Sequence, residues 1–306
     1  MPTPDEVRNY QAKHVENQKR TDARQHVATI WHAVNFAEME MPEIDWLVPS
    51  LIAPGLTTIA GQSKAGKSWL LLQLGLAVSA GGKFLCSLRC KKADVLYLAL
   101  EDNNRRIKSR LLTLGMNLTR DMYIDTTNKV TPQNIEAVLD EMPTVQMVII
   151  DTIGRYHENE GVDSNDYVGN TKLAGRLHSI AKERDIAVVM CTHTRKDPSG
   201  TDWLDSVIGS KATVAVSDTI LLLTRKRETM EGKLHITGRD VEERTIEIEH
   251  AERWLWYDKN FDRSTPLDEF NEFDGSGTCE KCGGQGVYDY YKNGIKYTRR
   301  CECGVF

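Results

Sequence analysis

Eight consecutive residues, Gly61 to Ser68 in GQSKAGKS, meet the pattern G-x-x-x-x-G-K-[ST] at every fixed position. That pattern suits a polyphosphate. Gly61 and Gly66 let the backbone curl so that N–H groups of the stretch Gln62, Ser63, Lys64 and Ala65 turn toward an anion. Lys67 reaches the β- and γ-phosphates, and Ser68 offers a hydroxyl to Mg²⁺. ATP or another nucleoside triphosphate is the expected ligand. Three further runs end in groups that would complete such a site. DVLYLAL is followed by Glu101-Asp102, and Glu101 is the expected general base, unless it only caps a helix beginning near Asn103. VQMVII is closed by Asp151, the acidic residue expected to hold Mg²⁺ through water. DIAVVMC runs on into Thr192 and His193, and His193 is either a sensor of the γ-phosphate or a structural histidine.

A second constellation lies at the carboxyl end: Cys279-x2-Cys282, then eighteen residues, then Cys301-x-Cys303. Four thiolates on two short knuckles suit tetrahedral Zn²⁺ at ~2.3 Å, with no open position for catalysis. Between the knuckles stand Tyr288, Tyr290, Tyr291 and Tyr297 with Lys292, Lys296, Arg299 and Arg300. Such a mixture either stacks on unpaired bases and follows phosphates, or uses tyrosines as the core of a tiny domain. Cys86, Cys90 and Cys191 have no evident chemistry.

The elements that must carry these groups follow from the pattern of the chain. Short β-like runs, LTTIA (56–60), DVLYLAL (94–100), VQMVII (145–150), DIAVVMC (185–191) and DTILLL (218–223), alternate with helical stretches at Ser68 to Ala80 and Val168 to Arg184. This alternation predicts an α/β core with a mostly parallel sheet. KLHITG (233–238) and RTIEIEH (244–250) read as an antiparallel addition at its edge. Four segments result: a helical extension over 1–44 (apolar at Val27, Ile30, Trp31, Val34 and Phe36), an ATPase core over 45–257, an acidic linker over 258–277 and a zinc module over 278–306. The extension is expected to pack on the core or on a neighbouring subunit.

Composition removes several alternatives. With 306 residues and 40% hydrophobic residues, the chain buries a core without needing disulfides. No run approaches the ~18 apolar residues of a membrane span, and the amino terminus lacks the apolar centre of a signal peptide. A cytoplasmic location with reduced cysteines is therefore expected. The net charge of −5 argues against nucleic-acid binding by overall charge, leaving room for a local basic channel.

Taken with the segments IDWLVPSLIAPGLTTIAGQSKAGKS, DVLYLALEDN, VIIDTIGR, VVMCTHTRK, VIGSKATVAVSDTILLL and ITGRDVEE, the chain resembles the RepA-type branch of RecA/DnaB-like ATPases, the replicative helicases of plasmids and phages. The resemblance covers residues 45–257. It implies a RecA-like P-loop NTPase core, a hexameric ring with ATP at subunit interfaces, single-stranded DNA as the track and a primase or polymerase as a further partner. It also implies an arginine supplied in trans, for which Arg239 is the first choice and Arg225 and Arg227 the others. Arg195, Lys196 and Lys211, in and after the loop that follows His193, are the expected DNA contacts. The cysteine module departs from the plainest members of that family and resembles a zinc ribbon. A RecA-like recombination or annealing ATPase, and an ATP-gated loader without unwinding activity, remain the competing readings.

Overall fold

A computed structural model of the chain describes residue 27 and residues 30–158, 167–194, 203–207, 215–226, 228–251, 254–260, 287–292 and 295–300. The chain divides into two units, residues 1–43 and 44–306. In the first, one short helix, α1 (Ala33–Ala37), is described, and Val27, Ile30, Trp31, Val34 and Phe36 are all exposed.

The second unit is built on a nine-stranded sheet. Its strands are β1 (Gly55–Gly61), β4 (Asp94–Ala99), β5 (Met122–Asp125), β6 (Val145–Asp151), β7 (Ala187–His193), β8 (Thr219–Arg225), β9 (Glu231–Gly238), β10 (Arg244–His250) and β11 (Trp256–Asp258). They lie side by side in the order β11-β10-β9-β8-β1-β7-β6-β4-β5. From β8 to β5 all neighbours are parallel, and from β8 to β11 all are antiparallel. Two short strands, β2 (Lys83–Phe84) and β3 (Leu88–Arg89), form a separate hairpin.

The near-continuous apolar runs read as strands because both faces of the parallel part are covered. In β4, Val95, Tyr97 and Ala99 face one core with the helix α2 (Lys67–Ala80). Leu96 and Leu98, together with Leu100 just beyond the strand, face the other, with Leu173, Leu177 and Ile180 of the helix α6 (Tyr167–Arg184). The two-residue period of a strand sends its side chains to alternate layers. Helix α2 is buried nearly all round, as WLLLQLGLAVSA requires. The remaining described helices are α3 (Asn104–Leu114), α4 (Ile135–Glu141), α5 (Ile153–Glu158) and α7 (Trp203–Val207). The carboxyl-terminal hairpin pairs β12 (Val287–Lys292) with β13 (Ile295–Arg300) in register from Val287↔Arg300 to Lys292↔Ile295. Among the described residues no helix is long and apolar enough to cross a membrane.

Candidate nucleotide site

The phosphate loop leaves the carboxyl end of the central strand β1, and α2 begins one residue after Gly66. Gly66 lies at φ 106°, and a Cβ there would come within 2.9 Å of the Trp256 ring, so both backbone and space require glycine. Helix α2 has no side-chain cap at its amino end, so its first N–H groups are offered to the cleft. The loop is thus a built anion cradle. Its cleft, about 490 Å³, is lined by Lys67, Ser68, Glu101, Asp151 and His193 among others.

Strand register brings these groups together. Gly61 stands beside His193 on one side and Leu223 on the other, while Ala99 stands beside Asp151. Lys67 Nζ donates to the carbonyls of Gly61 (2.7 Å) and Gln62 (2.9 Å) and lies 3.2 Å from His193 Nδ1. Burial lowers the Lys67 pKa, against Cys191, Asp151 and Glu101, which raise it. Desolvation, and then the Lys67 cation, hold His193 below its usual value, so at neutral pH the ring is the uncharged partner of the ammonium. Asp151 is pushed up by burial, an effect opposed by hydrogen bonds from Ser68 and Tyr97. The Tyr97 hydroxyl donates to Asp151 Oδ2 at 2.8 Å.

Asp151 Oδ1 is buried without a hydrogen-bonding partner in the protein, on a carboxyl group that Ser68 also contacts. An acceptor left over in this way fits Mg²⁺, which takes oxygen ligands and retains several waters. Asp151 and Ser68 would hold the ion, which when bound neutralises charge on the β- and γ-phosphates. Glu101 sits past the end of β4 and accepts from Thr152 Oγ1 at 2.8 Å. It is not the cap of α3. Asn103 takes that part, accepting from the Arg106 N–H at 3.0 Å. The neighbouring Asp102 is spent on Arg106 (2.8 Å) and on Arg110, leaving Glu101 as the carboxylate open to water.

Perturbed, desolvated charges gathered around a cleft mark a functional site. Residues 21–199 match the family described as AAA domain. The chain belongs to the AAA domain family. The AAA-domain chain is 27% identical over 210 residues to the DNA repair protein RadA of Streptococcus pneumoniae (strain ATCC BAA-255 / R6), a match covering 67% of the chain and 43% of that protein. It is 29% identical over 161 residues to the RadA of Escherichia coli (strain K12), covering 51% and 31%. It therefore spans less than half the length of these curated relatives. Among solved structures, one described as an ATPase domain superposes with a TM-score of 0.53 at 14% identity, covering 67% of this chain and 84% of that one. The fold is the RecA-like P-loop ATPase fold, and this AAA-domain protein is a P-loop NTP hydrolase.

Of the arginines considered for the site, Arg239 is not near the phosphate loop. It follows β9, and its guanidinium lies 3.2 Å from Asp218 Oδ1, at the end of the sheet opposite the loop. Arg225 does reach the loop, by a hydrogen bond to the Lys64 carbonyl. Arg227, Arg195, Lys196, Lys211, Cys279, Cys282, Cys301 and Cys303 lie outside the described residues. Cys86 and Cys90 are buried, with thiols pushed up by desolvation to about 11 and about 12; burial also raises Cys191. They are poor nucleophiles.

Sequence reasoning misses three participants. Tyr97 is a phenol in an otherwise aliphatic strand, and a buried hydroxyl needs a partner. Gln73, the one amide in an apolar helix, clasps the Trp256 backbone from both sides (2.6 and 2.9 Å), fastening β11 behind the loop. The Asp102-Arg106-Arg110 cluster is signalled by carboxylate and cation spaced i,i+4.

Proposed function

We propose that this ATPase is a ring-forming DNA motor, a replicative helicase of phage or plasmid type that translocates on single-stranded DNA. The observation that carries the reading is the division of cations about the site. The cleft gathers Lys67, Asp151, Glu101 and His193, yet its arginines, Arg106 and Arg110, are engaged on Asp102, and Arg225 beside it is held on the loop backbone. Arg239 pairs with Asp218 at the far end of the sheet and is still 61% exposed. An arginine finger facing outward there suits a second copy's nucleotide, as hydrolysis across subunit interfaces requires. Arg195, Lys196 and Lys211 then grip the strand, and the four tail cysteines hold one Zn²⁺ in a module that contacts DNA or a replication partner such as a primase or polymerase.

The test is to mix Arg239→Ala protein with Lys67→Ala protein. Each alone is inactive, and the mixture recovers turnover because some interfaces combine an intact loop with an intact arginine. No recovery at any ratio removes Arg239 from the site in trans. The likeness to RadA favours a second reading, a recombination ATPase that coats DNA. Negative-stain microscopy with an ATP analogue and single-stranded DNA separates the two: closed rings support the motor, and continuous filaments support the alternative.

A further inference from the structure

Arg225 ends β8 at the carboxyl edge of the sheet. Its guanidinium is consumed within its own chain. One terminal nitrogen donates to the Lys64 carbonyl at 2.9 Å. The other donates to the Thr229 carbonyl (3.3 Å) and lies 3.3 Å from His250 Nε2. Since His250 Nδ1 lies 3.1 Å from the Ala251 carbonyl, which can only accept, Nε2 is left as the acceptor from Arg225. The guanidinium carbon lies 5.0 Å from the centre of the Trp254 ring. Trp254 in turn stacks on His250 at 4.4 Å and on Trp69 of α2 at 5.8 Å. Nε is buried without a partner, so the planar fork is fixed by its two ends and its stacked face.

The two residues that Arg225 joins are both held at positive φ, Lys64 at 64° and Trp254 at 60°. Side-chain residues occupy that region only where their surroundings hold them there. At Lys64 the consequence is directional. A peptide plane is rigid, so fixing its carbonyl outward on Arg225 sends the following N–H, that of Ala65, to the inner side of the loop. There it donates to the Gln62 carbonyl at 3.2 Å, closing the turn on which the loop is built. The N–H groups of a phosphate loop work only when they face inward together.

We propose that Arg225 is a positioning residue of its own subunit's phosphate loop, clamping the Lys64–Ala65 peptide to the β8–β9 turn and the Trp254 stack, and that it is not a charge lent to a neighbouring site. This rests on the ATPase activity alone and stands whether or not the protein moves on DNA. Its readout is nucleotide affinity, whereas the motor reading is tested by mixing and microscopy.

The probe is ADP, whose affinity reports the loop without hydrolysis. Arg225→Ala binds ADP roughly tenfold more weakly, the loss expected for one hydrogen bond to a charged group. KM for ATP rises by a similar factor and kcat changes much less. Arg225→Lys, which keeps the charge and the fold but loses the planar fork, recovers only part of the affinity. Mixtures of Arg225→Ala with Lys67→Ala protein turn over no faster than the sum of their parts. Unchanged ADP affinity in Arg225→Lys protein with the parent's melting temperature overturns the proposal, as does recovery of turnover on mixing.

Discussion

The two ends of the central sheet carry charges in opposite states. At the carboxyl edge Lys67 and Asp151 are buried and pushed away from their charged forms, and His193 is kept neutral beside the ammonium. At the amino edge Asp218 accepts from the Leu56 N–H (2.9 Å) and pairs with His178 (3.1 Å) and Arg239 (3.2 Å), so the carboxylate is satisfied within the chain. Parallel strands explain the division. The crevice outside their carboxyl ends is where open α/β sheets bind ligands. One edge stores unfavourable electrostatics that a polyphosphate and metal relieve, and the other satisfies its charges internally. Changes at the first edge should destroy activity and spare the fold, whereas loss of the Asp218 charge at the second should cost stability and spare nucleotide binding.

The largest effect is expected at Lys67. Lys67→Ala removes the cation that follows charge onto the γ-phosphate, and ATP turnover should fall roughly a hundredfold or more while the protein stays folded. Turnover within a few-fold of the parent would place the polyphosphate elsewhere. Glu101→Gln comes next. The amide retains shape and the Thr152 contact but cannot take a proton, so ATP should still bind while hydrolysis drops by about two to four orders of magnitude. Normal hydrolysis in that variant would shift the base to another group, and Asp102, held by two arginines, would have to be freed to serve.

Much of the first edge was legible because its groups follow apolar strands at fixed spacing. GQSKAGKS, Glu101, Asp151 and His193 each sit where a buried run meets the surface, and the run locates them. Strands β5 and β11 were not legible: MYID and WYD are short and mixed, and they become strands only by pairing with β4 and β10. Arg225 is hard to weigh for a related reason. In TRKRET it is one of three adjacent cations, and nothing in the spacing tells that its guanidinium turns back to a loop 161 residues earlier. Long-range contacts of polar side chains leave no period to read. The same holds for Gln73, whose meaning depends on a strand 183 residues away.

A smaller effect separates the neutral histidine from a simple structural one. His193 is lowered from its ordinary value of about 6.5, so below that value the unfolded chain takes up the proton before the folded one does. Stability fully present above pH ~6.5 is therefore lost as pH falls from there through the folded value. Thermal melts of the parent should fall more steeply between about pH 7 and 5 than those of His193→Asn, which has nothing to titrate at that position. Parallel slopes would mean that the ring accepts its proton without cost to the fold and that its contact with Lys67 is incidental.

The smallest effect on nucleotide binding, and the sharpest separation of the two edges, should come from Asp218→Asn. The amide keeps an oxygen for the Leu56 N–H but removes the charge that pairs with His178 and Arg239. Room for adjustment is scarce, since a Cβ on Gly55 would come within 2.6 Å of Asp218 Oδ2. The amide nitrogen must then face either a backbone donor or a guanidinium, and one of those bonds is lost. A hydrogen bond involving a charged group contributes about 1.5–3 kcal/mol, with the lower end fitting a pair open to solvent. Unfolding should shift by about that amount in urea titrations. ADP affinity should stay with the parent's, because Asp218 immediately precedes β8 while the loop starts level with a later residue of that strand, Gly61↔Leu223. Any fall in ATP turnover should act through Arg239, and mixing with Lys67→Ala protein should then restore it. A loss of ADP affinity with unchanged stability would mean that the amino edge takes part in nucleotide binding and that the division between the two ends is wrong.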